Sequence, residues 1–225
     1  MTKRLFIYVL GLFIMTIGVS FSIKSNLGVS PVSSIPYTIT LLSGIEMGKA
    51  TILFHIVLIL MQILILRKDF KRKNINQLVV AIIFGYFTTF SNTLITFLPT
   101  TEVYAFRLMY LFLSIILVAI GIFLYLPSDI VPLAGEGAMQ AVSQKNGIAF
   151  PKVKIGFDIA MVLISAITCW FVLQRFGSVG VGTILSAILV GAVLNCIMKL
   201  FKKHLDAFLS DDLAIIYCKE NTFDE

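Results

Sequence analysis

Two ionisable side chains stand alone within long apolar stretches, and such residues are the first candidates for chemistry. His55 lies in the run from Ala50 to Leu66, and Asp158 lies in the run from Val153 to Leu173. Burying an ionisable group in a membrane costs free energy, so groups found there usually serve a function. Both residues are therefore candidates for proton coupling or for recognition of a charged solute. A structural hydrogen bond, or a position near the lipid headgroups, is the alternative for each.

Further polar side chains stand where a solute could meet them. Glu136 lies in the first turn of a predicted short helix, whose N-terminus stabilises a carboxylate with or without a ligand role. Gln140 follows one turn later on the same face. Asn92 and Asn195 are polar residues in otherwise apolar runs, and are equally suited to bridging helices. We take all four as candidate solute-binding residues.

The motifs of soluble enzymes are missing from the sequence. We find no Gly-rich phosphate loop, no His pair at metal spacing and no Gly-x-Ser-x-Gly elbow. The three cysteines have neither metal nor redox spacing. The sequence therefore predicts no enzyme activity, no cofactor and no metal site.

The apolar sequence is interrupted twice by turn-forming residues. The stretch SNLGVS (residues 25–30) follows the first apolar run, and SDIVPL (residues 128–133) follows the fourth. Each precedes a segment too short to cross a bilayer, one over Pro31–Ser43 and one beginning at Ala134. Because unpaired backbone groups are not tolerated facing lipid, we expect both stretches to fold inward and to line a solute site. Surface loops resting at the membrane interface are the alternative. The candidate binding residues in these stretches are Ser25, Asn26, Gly28, Ser30, Ser128 and Asp129.

Both short segments carry helix signals at their ends. Ser30 is suited to capping the first segment, with Pro31 at the first helical position, where its missing N–H costs nothing. Gly44 and Gly147 are suited to the left-handed conformation that ends many helices. We therefore expect two half-helices whose positive N-terminal ends face each other near the membrane midplane.

The elements that must position these residues are membrane helices. Of the 225 residues, 58% are hydrophobic and only 13% are charged, whereas soluble domains carry about 25% charged residues. This composition predicts an all-α integral membrane protein. Six runs reach the length of about 20 residues that a crossing needs. They are Leu5–Ile23, Ala50–Leu66, Leu78–Leu98, Leu108–Leu126, Val153–Leu173 and Val181–Leu200.

Positive charge predicts the orientation of these spans. Lys and Arg outnumber Asp and Glu by 18 to 12, and the excess stands before the first span, after the second in Arg67–Lys73, before the fifth and after the sixth. Such clusters mark the cytoplasmic side rather than a nucleic-acid surface. The expected location is the bacterial plasma membrane, with several crossings and both termini cytoplasmic. The charged residues of the opposite side are Lys24, Glu46, Lys49, Glu102, Arg107 and Arg175.

The two halves of the sequence match each other at a shift of 103 residues, which brings His55 onto Asp158. Three spans per half place the halves in opposite orientations, an architecture of transporters and channels. We predict a first repeat over 1–103 with a half-helix at 31–43, a second over 104–204 with a half-helix at 134–145, and a cytoplasmic tail over 205–225. The identical pairs include Arg4 with Arg107, Gly18 with Gly121, Ser25 with Ser128, and Lys49 with Lys152.

The opening sequence resembles a group of small bacterial membrane proteins. In KRLFIYVLGLFIMTIGVSFSIKSNLGVSPVSSIPYTI, the first helix and the element Leu27–Pro31 are similar to those of the YczE/YyaS/YitT-type family. FDIAMVLISAITCW and VGVGTILSAILVGAVLN look similar to its last two helices. The resemblance covers most of residues 3–200 and matches the family's short branch, without a soluble C-terminal domain. It implies a multi-pass plasma-membrane protein that is supposed to be a transporter, with no defined substrate.

These features favour a secondary transporter of a small polar metabolite. His55, Asp158 and Glu136 are its candidates for proton coupling or for charge recognition. A passive channel of the same architecture, and a non-transporting accessory subunit docked through Arg67–Lys73, are the alternatives. The expected partners are a small polar solute and the lipid bilayer, with a homodimer left open. The charge of the solute is also open, because the acidic residues favour a cation or zwitterion whereas helix N-termini favour an anion.

Overall fold

The computed structural model of the protein describes residues 2–70, 72–99, 103–128, 130–175 and 177–220. Within them every regular element is helical. Short 3-10 turns cover Arg67–Asp69, Arg72–Asn76 and Leu126–Ser128. The α-helices are α1 (Thr2–Ser25), α2 (Pro31–Ser43), α3 (Met47–Leu66), α4 (Gln77–Thr96), α5 (Tyr104–Tyr125), α6 (Ala134–Asn146), α7 (Phe150–Leu173) and α8 (Val181–Glu220).

Six of the described helices are long and apolar enough to cross a bilayer: α1, α3, α4, α5, α7 and α8. The all-α fold with six candidate spans is therefore confirmed. Helix α8 continues without a break through Glu220 and so includes most of the predicted tail over 205–225.

Helices α2 and α6 have 13 residues each, which makes them about 20 Å long and shorter than the roughly 30 Å hydrocarbon core. Both begin where the sequence predicts. Gly44 and Gly147 end them with φ values of +71° and +64°, the left-handed conformation that glycine adopts without strain. The predicted side-chain cap at Ser30 is wrong: its hydroxyl donates to Ser33 Oγ at 3.0 Å instead of accepting a backbone N–H.

The centre of the bundle is a close contact between α1 and α5. A Cβ placed on Gly18 would lie 2.8 Å from the Val118 nitrogen, and one placed on Gly121 would lie 2.7 Å from the Met15 nitrogen. Small residues allow helix backbones to approach this closely. Since Gly11 meets Gly121 while Gly18 meets Val118, α1 and α5 run antiparallel.

Each short helix packs on a long helix of the other half of the chain, α2 on α7 and α6 on α3. Ser165 of α7 donates to Ser34 of α2 at 3.0 Å. Gln62 of α3 donates to the carbonyl of Ala134, the first residue of α6, at 3.2 Å, and to Gln77 of α4 at 2.9 Å. These buried hydrogen bonds fix the short helices within the protein.

The loops before the short helices are partly buried, and several of their backbone groups find partners within the chain. Val29 N donates to Ser178 O at 3.1 Å, and Gly182 N donates to Leu27 O at 2.7 Å. In the second loop, the Tyr8 hydroxyl donates to Val131 O at 2.8 Å. Irregular backbone that is buried is stable only when its polar groups are satisfied in this way.

Candidate functional site

A cavity of about 410 Å³ lies in the middle of the bundle, and all eight helices contribute to its lining. Its volume falls in the range of small-molecule sites, about 300–1,000 Å³. Most of the lining is apolar, and a few polar groups project into it. Of the residues predicted from the sequence, the lining includes Ser30, His55, Glu136, Gln140 and Asp158.

An ion pair in the cavity wall lies on α7. Lys154 donates to Asp158 Oδ2 at 2.8 Å, and the two residues are one turn apart, at the spacing that favours a helical ion pair. The other carboxylate oxygen, Asp158 Oδ1, is buried and has no hydrogen-bond partner among the described residues. The pair therefore leaves one acceptor unused.

Glu136 lies in the cavity wall formed by α6, within electrostatic range of Lys154. Burial raises the pKa of its carboxyl above the usual range, while the neighbouring Tyr125 hydroxyl and the Lys154 ammonium oppose this shift. The Tyr125 hydroxyl lies beside the carboxylate but makes no hydrogen bond of good geometry within the described part of the chain. A second carboxylate thus stands near a single ammonium group.

His55 lies in the cavity wall formed by α3. The residue is 3% exposed, and its ring stacks on Phe84 with the centroids 5.7 Å apart. Its Nδ1 atom is buried without a hydrogen-bond partner in the ranges that the structure describes. An unpaired polar atom that is buried costs free energy, so His55 is a group for which a ligand in the cavity could supply the partner.

Apart from Ser30, the described loop residues predicted to bind solute do not line the cavity. Ser25 donates to Ser22 O at 2.7 Å, and Ser128 donates to Leu124 O at 3.2 Å. Asn26 is exposed with a φ of +52°. Gly28 has a φ of +104°, and a Cβ placed on it would collide with the backbone of Gly180. These residues hold the loop together and seat it on the start of α8. Asp129 lies outside the described residues.

Asn92 and Asn195 also stand apart from the cavity. Asn92 is half-buried on α4, and Asn195 is exposed on α8. The sequence showed that each interrupts an apolar run, but not which face of its helix it occupies.

Sequence reasoning missed Lys154 and Tyr125 as site residues. Lys154 belongs to the charge cluster that precedes the fifth span and predicts orientation, although its spacing from Asp158 is also the signal of a helical ion pair. Tyr125 is 2% exposed, and no pattern in the sequence marks it as a neighbour of Glu136.

The cavity lining includes many residues that are 103 positions apart in the chain. Their side chains differ in polarity: uncharged Ser33, Thr51 and His55 correspond to Glu136, Lys154 and Asp158. All the charge in the cavity therefore comes from the second half of the chain. The corresponding pairs are Met15 and Val118, Val19 and Ile122, Ser30 and Leu133, Val32 and Gly135, Ser33 and Glu136, Pro36 and Met139, Met47 and Phe150, Thr51 and Lys154, and His55 and Asp158.

Comparison with known proteins identifies a family of membrane proteins. The model of a family of unknown function, DUF6198, matches residues 2–199. The chain is similar to the uncharacterized membrane protein YczE of Bacillus subtilis (strain 168), with 26% identity over 189 residues, or 84% of this chain and 82% of that protein. It is also similar to the uncharacterized protein YyaS of the same organism, with 22% identity over 203 residues, or 88% of this chain and 93% of that protein. No solved structure matches significantly.

The resemblance to YczE and YyaS expected from the opening sequence is confirmed. With six apolar helices and a membrane protein as a relative, the chain is a multi-pass membrane protein.

Proposed function

Because the chain belongs to DUF6198, a family whose function is unknown, we propose a function from its cavity: the protein is a secondary transporter of a small polar metabolite in the bacterial plasma membrane. Its six spans form two inverted halves around the cavity. The two halves rock against each other, so that the cavity opens to one side of the membrane at a time.

Inversion of the halves is supported by the central helix contact. Gly18 meets Val118, and Gly121 meets Met15; a shift of 103 residues converts the first contact into the second. Such reciprocal contacts are the mark of a twofold axis. Because α1 and α5 are antiparallel, an axis that exchanges them is perpendicular to both helices. For helices that cross a membrane, this axis lies in the membrane plane.

The short helices fit the same symmetry. Ser34 of α2 is hydrogen-bonded to Ser165 of α7, and Gly137 of α6 lies against Gln62 of α3. A shift of 103 residues converts the first of these contacts into the second. Each helix is too short to cross the bilayer and is preceded by a partly buried, internally bonded loop. These features support re-entrant half-helices that enter and leave on one face.

The observation that carries the proposal is that corresponding residues at the two ends of the cavity differ in exposure. Met47, at the start of α3, is 5% exposed, whereas its counterpart Phe150, at the start of α7, is 36% exposed. Thr51 is buried, whereas its counterpart Lys154 is exposed. This difference supports a cavity that is closed at the Met47 end and open at the Phe150 end. Exchanging the conformations of two equivalent halves would open the closed end, which is the movement that alternating access requires.

With the predicted orientation, the open end near Phe150 faces the cytoplasm. We expect a bulky thiol reagent to label Phe150→Cys from the cytoplasmic side and Met47→Cys from the outside, each in a variant without native cysteines. In the double variant, outside labelling at position 47 should hold the transporter outward-open and protect position 150. A passive channel of the same architecture would let both positions react in one molecule, and that result would reject the transporter.

A further inference from the structure

Two buried polar atoms of the cavity lack hydrogen-bond partners in the described part of the chain. Asp158 Oδ1 and His55 Nδ1 are buried without partners among the described residues, and both line the cavity. A carboxylate accepts hydrogen bonds only, and a neutral imidazole accepts at one nitrogen. The Lys154 ammonium is the nearby strong donor, and it is bonded to Asp158 Oδ2. A ligand that brings N–H or O–H groups would supply the partner of Asp158 Oδ1, and also that of His55 Nδ1 in the tautomer protonated at Nε2.

The charges of the site call for a positive ligand. Glu136 and Asp158 contribute two carboxylates, Lys154 contributes one ammonium group, and His55 is counted as neutral. The lining therefore carries one excess negative charge when both carboxyls are ionised. Opposite charge within about 4–6 Å stabilises an ionised group, so a cation in the cavity would relieve this excess, whereas an anion would meet two carboxylates.

The N-terminus of α6 does not reverse this preference. Glu136 is the third residue of α6 and places a carboxylate of the protein itself at the positive end of the helix. An anionic solute would have to displace this internal anion or bind beside it.

The remaining lining is made largely of hydrocarbon and aromatic groups. Met15, Val19, Phe84, Val118 and Ile122 surround the space on the side of α1, α4 and α5. Burying apolar area in such a pocket contributes about 25 cal/mol per Å², and orientation comes from the few polar groups. The cavity is thus divided into an acidic side and an apolar side.

We infer that the ligand of this cavity is an amphipathic amine, a small molecule with a protonated amino group on an apolar body. The ammonium group donates to Glu136 and Asp158 Oδ1, and also to His55 Nδ1 in the tautomer that is protonated at Nε2, and the apolar body packs against α1, α4 and α5. The inference names the solute of the proposed transporter and rests on that function only for the movement of the amine, not for its binding.

Four probes with the same benzyl body test the head group: benzylamine, benzyltrimethylammonium, benzyl alcohol and benzylsulfonate. Their affinities for the purified protein are measured calorimetrically at neutral pH. We expect benzylamine to bind at least about tenfold more tightly than the alcohol, the quaternary cation to fall between them because it has no N–H donor, and the sulfonate not to bind. Absence of benzylamine binding, or tighter binding of the sulfonate, would overturn the inference.

Three variants assign the binding to the charged groups. Glu136→Gln should weaken benzylamine binding about tenfold or more, whereas the control Glu46→Gln, at a carboxylate outside the cavity, should leave it unchanged. Lys154→Gln removes the competing ammonium group and should strengthen binding several-fold. A folding defect in this variant would weaken binding, so the sign of the change separates charge recognition from damage. Weaker binding in Lys154→Gln with an unchanged unfolding temperature would contradict the inference.

The labelling test of alternating access uses no amine. If that test fails while benzylamine binds as expected, the transport function is wrong and the inference on the ligand stands. If labelling alternates and benzylamine does not bind, the inference on the ligand is wrong and the transport function stands.

Discussion

Gly85 of α4 lies in backbone contact with Gly48 of α3: a Cβ placed on Gly85 would stand 2.8 Å from the Gly48 carbonyl oxygen. Gly191 of α8 corresponds to Gly85 once a small insertion in the second half is allowed for, and a Cβ placed on it would meet no atom within 4 Å. Ile52, which also contacts Gly85, is half-buried, whereas its counterpart Ile155 is exposed. The seam between α3 and α4 is therefore closed, and the corresponding seam between α7 and α8 is open.

The first prediction compares these two glycines. Gly85→Val places a branched side chain in a closed seam and should destabilise the protein by about 1–3 kcal/mol, the usual cost of overpacking. Gly191→Val places the same side chain in open space, and its loss of stability should be at most a few tenths of the loss in Gly85→Val. Thermal unfolding in a fixed detergent measures both. Equal losses of stability would mean that the two seams do not differ as described.

The second prediction concerns the loop before α2. Gly28→Ala combines a φ of +104° with a collision against Gly180, and the unfavourable φ alone costs about 1–3 kcal/mol. Gly44→Ala is the matched control, since its φ is +71° and no atom lies within 4 Å of the added Cβ. We expect the unfolding temperature to fall further in Gly28→Ala than in Gly44→Ala. Equal temperatures would show that the collision is relieved at no cost.

The third prediction concerns membrane orientation. In a background without native cysteines, Lys49→Cys should react with an impermeant reagent from the outside, because the positive clusters place α3 with its start outside. Lys68→Cys and Lys145→Cys should react only after the membrane is opened. All three side chains are exposed. Outside labelling at position 68 would invert the orientation, and with it the side to which the cavity opens.

The fourth prediction concerns pH. Burial raises the pKa of Glu136, so its carboxylate is lost at a higher pH than that of an ordinary carboxyl. Benzylamine binding should weaken as pH falls through this pKa and reach a plateau above it. The probe itself stays protonated from about pH 5 to pH 8, as a lysine does.

The charged and titratable groups that interact with Glu136 are Tyr8 on α1, Tyr125 on α5 and Lys154 on α7. His55 on α3 and Asp158 on α7 line the same cavity. Of these, the imidazole of His55 and the carboxyl of Asp158 are the competing sources of a pH effect. His55→Gln should keep the pH dependence, whereas Glu136→Gln should bind weakly with a flatter profile. A profile that is flattened by His55→Gln instead would assign the effect to the imidazole.

Much of the fold can be predicted from the sequence, because hydrophobic runs and glycine positions are local signals of helices and helix ends. Pro31 at the first position of α2, and Gly44 and Gly147 at the ends of the two short helices, lie where the sequence predicts. The site is readable in part. His55 and Asp158 stand out as ionisable groups among apolar ones, and Glu136 stands out in a first helical turn.

The errors concern properties that depend on packing between distant segments. Nothing in the sequence near Gly28 indicates that Gly180 fills the space beside it. A loop that packs on the start of α8 is therefore predicted to line a solute site. The faces occupied by Asn92 and Asn195 depend on which neighbours their helices have. Lys154 resembles a topology signal until the fold turns it toward Asp158 and Glu136.

Disulfide trapping of the open seam tests alternating access most directly. Ile155→Cys with Gly191→Cys reproduces, in the second half, the pair Ile52 and Gly85 that is in contact in the first. A disulfide needs Cα atoms about 4.4–6.8 Å apart, so it can form at positions 155 and 191 only if α7 closes onto α8. In reconstituted membranes under mild oxidation, we expect this pair to cross-link, and the parallel variant Ile52→Cys with Gly85→Cys to cross-link as well. Cross-linking of the 52–85 pair with none at 155–191 would show that the second seam never closes, and would contradict the proposal that this protein is an alternating-access transporter.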